Sequence, residues 1–409
     1  RGNMPLSVEY ADLSLAQQVL ERQSSEHLAN MRSFLKQWGD YSDGGEGAGL
    51  LMMAFNPLNQ EVVHIGDEVL GLLEQAHGGA ADHMGQTLEA YVNADQQIHA
   101  ALASVTEMLG GSSLPFNDPR SSLPTLGAAA RGASQWYGGA EPNLAERMAQ
   151  GVMGFGEYAS DFPGRLTDRA DKAFSGNRSI SESQDASSYL VPPESPESEM
   201  KNLRWSAGVV IGGVDWLIEK LTGVSVLNDI IFKYTVGDWR VLDRASTAWS
   251  EIGDALVAVG QNDSEILPAL SEWTGKGSEA ANAFIAALAG VTTALNGAAG
   301  SVSGIIKNVS KVVQQAAKVI GKQLKRLQDK CLRMIAEASV PVAGWIVAAG
   351  EAVAAAQQIY DMVKKIHRII NLVYTAIENM AQAKAQIIEI RYTISNIAEA
   401  AARGAAARV

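Results

Sequence analysis

Residues 239–284 read WRVLDRASTAWSEIGDALVAVGQNDSEILPALSEWTGKGSEAANAF, and the apolar spacing on either side of Trp273-Thr274-Gly275 decides the fold. Upstream, Leu242, Ala245, Trp249, Ile252, Leu256, Val259, Ile266 and Leu270 keep a three-four spacing that runs into Trp273. Asp263 is the single gap in that stripe. Downstream, Ala281, Phe284, Leu288, Val291, Leu295, Ala298, Val302, Ile305, Val309, Val312, Ala316 and Val319 keep the same spacing. Such a recurrence lines one face of a helix with apolar side chains. Two such helices joined by a short Gly-containing turn predict an antiparallel helical hairpin. Trp273 is placed to plug the open end of the seam, and Gly275 to free the backbone at the turn.

The same pattern appears at the N-terminus. Leu13, Ala16, Leu20, Leu28, Met31, Leu35 and Trp38 form one stripe. A Gly-rich connector from Gly39 to Pro57 interrupts it. A long face then runs through Val62, Ile65, Val69, Leu72, Ala76, Ala80, His83, Thr87, Tyr91, Ala94, Ile98, Leu102, Val105 and Leu109. Asn56-Pro57 predicts its start, with Asn as cap and Pro in the first turn. Residues 111–224 differ. Eight of the chain's twelve Pro lie between 111 and 201, and Ser181 to Glu199 is rich in Ser, Glu and Pro, which predicts a flexible linker with short helices. Its length would also let it wrap a helical body. The reading is all-α: a helical hairpin over 6–110, a linker over 111–224, a second hairpin over 225–335, and an apolar bend with a C-terminal helix over 336–409.

Composition agrees with packed helices. Hydrophobic residues make up 47% of the 409, aromatics only 6%, and Ala and Gly are abundant, which suits closely packed helices better than a sandwich or barrel. A net charge of −12 argues against nucleic acid as the main partner, because a phosphate-binding surface needs a basic field. The single Cys, Cys331, excludes an intramolecular disulfide and a cysteine-based zinc site.

Gly237-Asp238-Trp239, Ala248-Trp249 and the run Trp273-Thr274-Gly275-Lys276-Gly277-Ser278-Glu279-Ala280-Ala281-Asn282-Ala283-Phe284 together resemble the WXG family of helical-hairpin proteins exported by the type VII (ESX) secretion system. The chain looks like a large fused member, about four times the length of the simplest ones. The resemblance implies a non-enzymatic secreted substrate or structural component. It would be recognised by the type VII secretion ATPase and would associate through helices with a WXG-type partner, a chaperone or copies of itself. Export would proceed without a cleaved leader. Met4-Pro5-Leu6-Ser7 leads into polar helical sequence without the basic and apolar regions of a signal peptide, as that route implies. The resemblance also implies a Tyr-x-x-x-Asp/Glu signal, which sets both side chains on one helix face, one turn apart. Four pairs fit: Tyr91/Asp95, Tyr137/Glu141, Tyr234/Asp238 and Tyr374/Glu378. Tyr91/Asp95, late in the second helix of the first hairpin, is the leading candidate, and Tyr374/Glu378 the second.

A membrane-active helical toxin, or the delivery region of one, is the competing reading. From Lys307 to Arg333 the charged residues are basic except Asp329, and a basic helix can approach anionic lipid. The uncharged run Ala338–Gly350, with Val340, Trp345, Ile346 and Val347, is too short to span a bilayer but suits a membrane or partner contact. Neither a cofactor nor a catalytic site is expected. Glu61/His64 and Glu74/His77 have the Glu-x-x-His spacing of di-iron bundles. They lie 13 residues apart on one helix, about 20 Å along its axis, so they cannot share a metal pair. No phosphate-cradling loop, nucleophile elbow or zinc signature appears.

Overall fold

The computed structural model describes chiefly residues 9–41, 50–108, 115–129, 180–193, 239–270, 273–274 and 276–337, with helical positions between 357 and 395. The described residues are mostly helical and include no strand, so the protein is all-α. Helix α1 runs over 10–39. It is built from α-segments Tyr10–Arg22 and Ala29–Phe34, alternating with π-segments Gln23–Leu28 and Leu35–Gly39. Helix α2 is Leu50–Met108, α3 is Trp239–Ala269 and α4 is Lys276–Glu337. The helical positions between 357 and 395 are called α5.

Paired contacts fix the directions. Tyr10 meets Asp95, Ser24 Oγ donates to the Glu74 carbonyl at 2.9 Å, and Arg32 pairs with Asp67 at 2.9 Å, so α1 and α2 are antiparallel. Lys307 pairs with Asp243 at 2.6 Å and Ser303 Oγ donates to the Ser246 carbonyl at 2.7 Å, so α3 and α4 are antiparallel. Between the two pairs, Gly66 lies against Trp249, His77 against Asp263 and Tyr91 against Trp273. The offset is nearly constant, so α2 and α3 run parallel, flank to flank. Lys384 meets Glu61 and Arg391 meets Glu68 at 3.1 Å, so α5 runs parallel to α2. It packs on α2, whose acids its cations match, and Ile387 lines a void with Trp249 of α3 and Leu295 of α4.

Every upstream stripe residue from Leu242 to Leu270 is buried, and the downstream stripe is buried from Leu288 to Val309. Both pairs share one core. Trp249 is where the elements converge: it touches Gly66 and lines a void of about 20 Å³ with Leu295 of α4 and Ile387 of α5. Ala280–Gln315 is long and apolar enough to cross a membrane, but half of its most apolar window is buried, as befits a core helix.

Two expectations are corrected. Asn56-Pro57 is not a helix start: Pro57 lies inside α2, whose preceding turn is anchored by fully buried Phe55 stacked on Tyr41 at 6.4 Å. The long face of α2 does not stay in the core. Its buried line passes through Leu73, His77, Ala81, Met84, Leu88 and Val92, while Ile98, Leu102 and Val105 are exposed. The reason is length, since α1 begins at Tyr10 opposite Asp95 and nothing of α1 remains to cover the last turns. Part of the linker is docked on the helical body, which its length allows. Gln18 and Arg22, one turn apart on α1, bind the backbone of Pro124, Leu126 and Gly127 at 2.8–2.9 Å. Residues 180–193 bury Ile180, Glu182 and Ala186 against α1 and α3. Glu182 pairs with Arg22 and accepts from Gln23. Asn262 of α3 donates to the Gln184 carbonyl at 2.7 Å and accepts from its N–H at 3.2 Å. Those two bonds let the segment bridge α1 and α3. Asn262→Ala is expected to cost about 1–2 kcal/mol and to speed proteolysis within 180–193, read as the cleavage rate under native conditions.

Candidate recognition site

One end of the bundle brings Trp273 to Tyr91 and Asp95 of α2, while Trp249 lies further back along α3, against Gly66. Trp273 ends the α3 stripe and is 6% exposed. Its N–H donates to the Leu270 carbonyl at 3.1 Å. Its own carbonyl accepts from Ser278 Oγ, and Asn282 Nδ2 donates to that hydroxyl at 3.3 Å. The first turn of α4 therefore holds the Trp from below. Gly275 lies outside the described residues, as do 271 and 272.

Across the bundle, the Trp273 indole Nε1–H donates to Tyr91 Oη at 3.2 Å, and the rings meet edge to face with centroids 6.4 Å apart. This geometry sets the positive ring edge of one aromatic against the negative face of the other. Tyr91 is half-buried. Asp95, one turn on and exposed, accepts from the Tyr10 hydroxyl. Burial, then the hydrogen bond and charge of Asp95 and the neighbouring Tyr91, push the Tyr10 phenol up to about 12, so it stays a donor at any ordinary pH. Four side chains from α1, α2 and the α3–α4 junction thus form one amphipathic cluster. It presents a carboxylate, two hydroxyls and an aromatic face.

Two of these contacts were not legible in the sequence. Tyr10 precedes the first stripe and has no spacing relation to Asp95. His77 falls beside the predicted face of α2, yet both its ring nitrogens are used: Nδ1 lies 2.8 Å from the Leu73 carbonyl and Nε2 lies 2.9 Å from Asp263 Oδ2. Both side chains are fully buried. Burial alone pushes the imidazole down. The charge and hydrogen bond of Asp263, with the Leu73 carbonyl, outweigh it and hold His77 above its ordinary value. The gap at Asp263 was the available signal, because a carboxylate in an apolar stripe demands a buried partner.

The remaining candidates separate. Tyr374 lies outside the described residues, while Glu378 is an exposed helical position. Tyr137/Glu141, Tyr234/Asp238 and the run 338–350 with Val340, Trp345, Ile346 and Val347 also lie outside them. The Glu-x-x-His residues disperse: Glu61 meets Lys384, His64 meets Glu68 at 3.4 Å, Glu74 meets Arg32 at 2.9 Å and His77 meets Asp263. Among the described residues no group of three or more His, Cys, Asp or Glu is arranged to hold a metal ion. Of the basic run, Lys307 pairs with Asp243, and Lys311, Lys322 and Arg326 are exposed. Comparison with protein-family profiles, curated proteins and solved structures finds no match to this chain.

Proposed function

We propose that this chain is a non-enzymatic substrate or secreted structural component of a type VII secretion system. In this reading α3 and α4 are a WXG-like hairpin turned at Trp273 and Gly275, and α1 and α2 form a second hairpin beside it. The secretion ATPase reads the bundle end bearing Tyr91 and Asp95. The protein, made in the cytoplasm and released without a cleaved leader, then acts by helix–helix association with a WXG-type partner, a chaperone or its own copies.

One observation carries the reading. Trp273 and Tyr91 belong to two motifs drawn from the same resemblance, and they are 182 residues apart in sequence, yet they share a hydrogen bond. Asp95 stands one turn further along the same helix, exposed. Neither motif alone is specific, but their meeting on one surface is what a composite recognition element requires.

Export from a native-type host tests it. The intact chain is compared with a Tyr91→Ala/Asp95→Ala variant, with cell levels and helical content measured for both. The expected result is loss of the variant from the medium, with normal cell levels and normal helicity. Unchanged export would remove the signal from α2 and direct attention to Tyr374/Glu378. No export of the intact chain would overturn the secretion reading, and leakage of anionic liposomes would then decide for the membrane-active alternative.

A further inference from the structure

Helix α2 outruns its bundle. Beyond Asp95, where Tyr10 begins α1, it continues to Met108, about three and a half more turns. At about 100° per residue, Tyr91, Asp95, Ile98, Leu102 and Val105 all fall within about 40° of one line. Ile98, Leu102 and Val105 are 59%, 63% and 53% exposed. To one side of that line, the Phe116 ring lies 5.4 Å from that of His99. Three large aliphatics in line on an exposed helix are a binding face in form.

The charge of α2 says what fits there. The whole helix carries acidic side chains and neither Lys nor Arg. Two of the helices packed on it supply cations: Arg32 and Lys36 of α1 reach Asp67 and Glu74 at 2.9–3.1 Å, and Lys384 and Arg391 of α5 reach Glu61 and Glu68, whereas α3 meets α2 at His77 with Asp263. Two copies of this stripe would pair one cation-free helix with another. The geometry points to the α2 overhang as the docking face for an amphipathic helix of a partner protein, apolar at helical spacing and flanked by Lys or Arg that enters the field of Asp95. This follows from α2 itself and does not depend on the route of export.

The test uses the full chain and two labelled synthetic helices with Leu at i, i+3, i+4 and i+7, one flanked by Lys and one by Glu. Binding is followed by fluorescence anisotropy. The Lys helix is expected to bind, the Glu helix to bind about tenfold more weakly or worse, and Leu102→Ser to weaken the Lys helix about tenfold. Leu102 is exposed, so this variant should keep the melting temperature of the intact chain. Equal binding to Leu102→Ser, indifference to peptide charge, or no binding of the Lys helix would each overturn the proposal. Sedimentation of the intact chain is expected to give a monomer; a dimer abolished by Leu102→Ser would assign the stripe to a second copy and overturn the partner. Co-sedimentation with phosphatidylcholine vesicles that Leu102→Ser abolishes would assign it to lipid and overturn it as well.

Discussion

Replacing His77 by alanine is expected to destabilise the folded protein by about 3–5 kcal/mol. The substitution leaves Asp263, fully buried, without the donor that satisfies Oδ2, and its Oδ1 already has no hydrogen bond. Asp263→Ala should cost a similar amount by stranding the imidazole. Replacing both by leucine removes the buried charge together with its partner, and the double variant should recover most of the loss, since well-packed apolar residues commonly match or exceed a buried pair. Urea unfolding of the three variants checks this; a double variant no more stable than the single ones would show that the stranded charge does not explain their losses.

The same pair gives stability a pH dependence of definite sign. Nδ1 must carry a hydrogen to donate to the Leu73 carbonyl, so the proton between Nε2 and Asp263 is the second one on the pair. His77 in the folded chain titrates above the ordinary value of 6.5. A group with a raised folded value binds more protons folded than unfolded, so its contribution is full below 6.5 and declines as pH rises through the folded value. The urea midpoint of the intact chain should therefore fall across that alkaline window, and His77→Leu/Asp263→Leu should remove that component of the fall.

The second large effect lies in the α3–α4 seam. A Cβ on Gly260 would stand 2.3 Å from Thr293 Oγ1 and 3.0 Å from the Ala289 carbonyl oxygen. The first atom could swing aside only by giving up its own 2.8 Å hydrogen bond to that carbonyl, and the second is backbone and cannot. Alanine would improve the helix by about 1 kcal/mol on propensity alone, but the clash outweighs this. Gly260→Val should cost about 3 kcal/mol and Gly260→Ala less, with Thr293→Ala restoring part of the loss in the Gly260→Ala background. Thermal melts of the four proteins decide it; stabilisation by Gly260→Ala would mean that the helices are not held this close.

Much of the architecture was legible because local spacing states it. The α3 and α4 stripes are long and regular, and a helix with a wide apolar face must bury that face whatever lies opposite. The docking of part of the linker has a physical reason that its composition does not record. Its composition lacks the apolar area to fold alone, yet Glu182 and Gln184 find backbone and side-chain partners on helices already built. The end of α2 misled, since periodicity reports a face but not whether another helix reaches it. The Tyr-x-x-x-acid spacing was visible four times, and nothing in the sequence set Tyr91/Asp95 apart by contact.

By itself, then, the sequence determined the helical class, because apolar spacing within a few turns states it. Only the tertiary structure decided that α2 lies parallel to α3, that His77 fills the gap at Asp263, that Tyr10 reaches Asp95 and Trp273 reaches Tyr91, and that Ile98, Leu102 and Val105 are left uncovered. Those outcomes depend on where separate helices begin and end against each other in space, and helical periodicity carries no record of it.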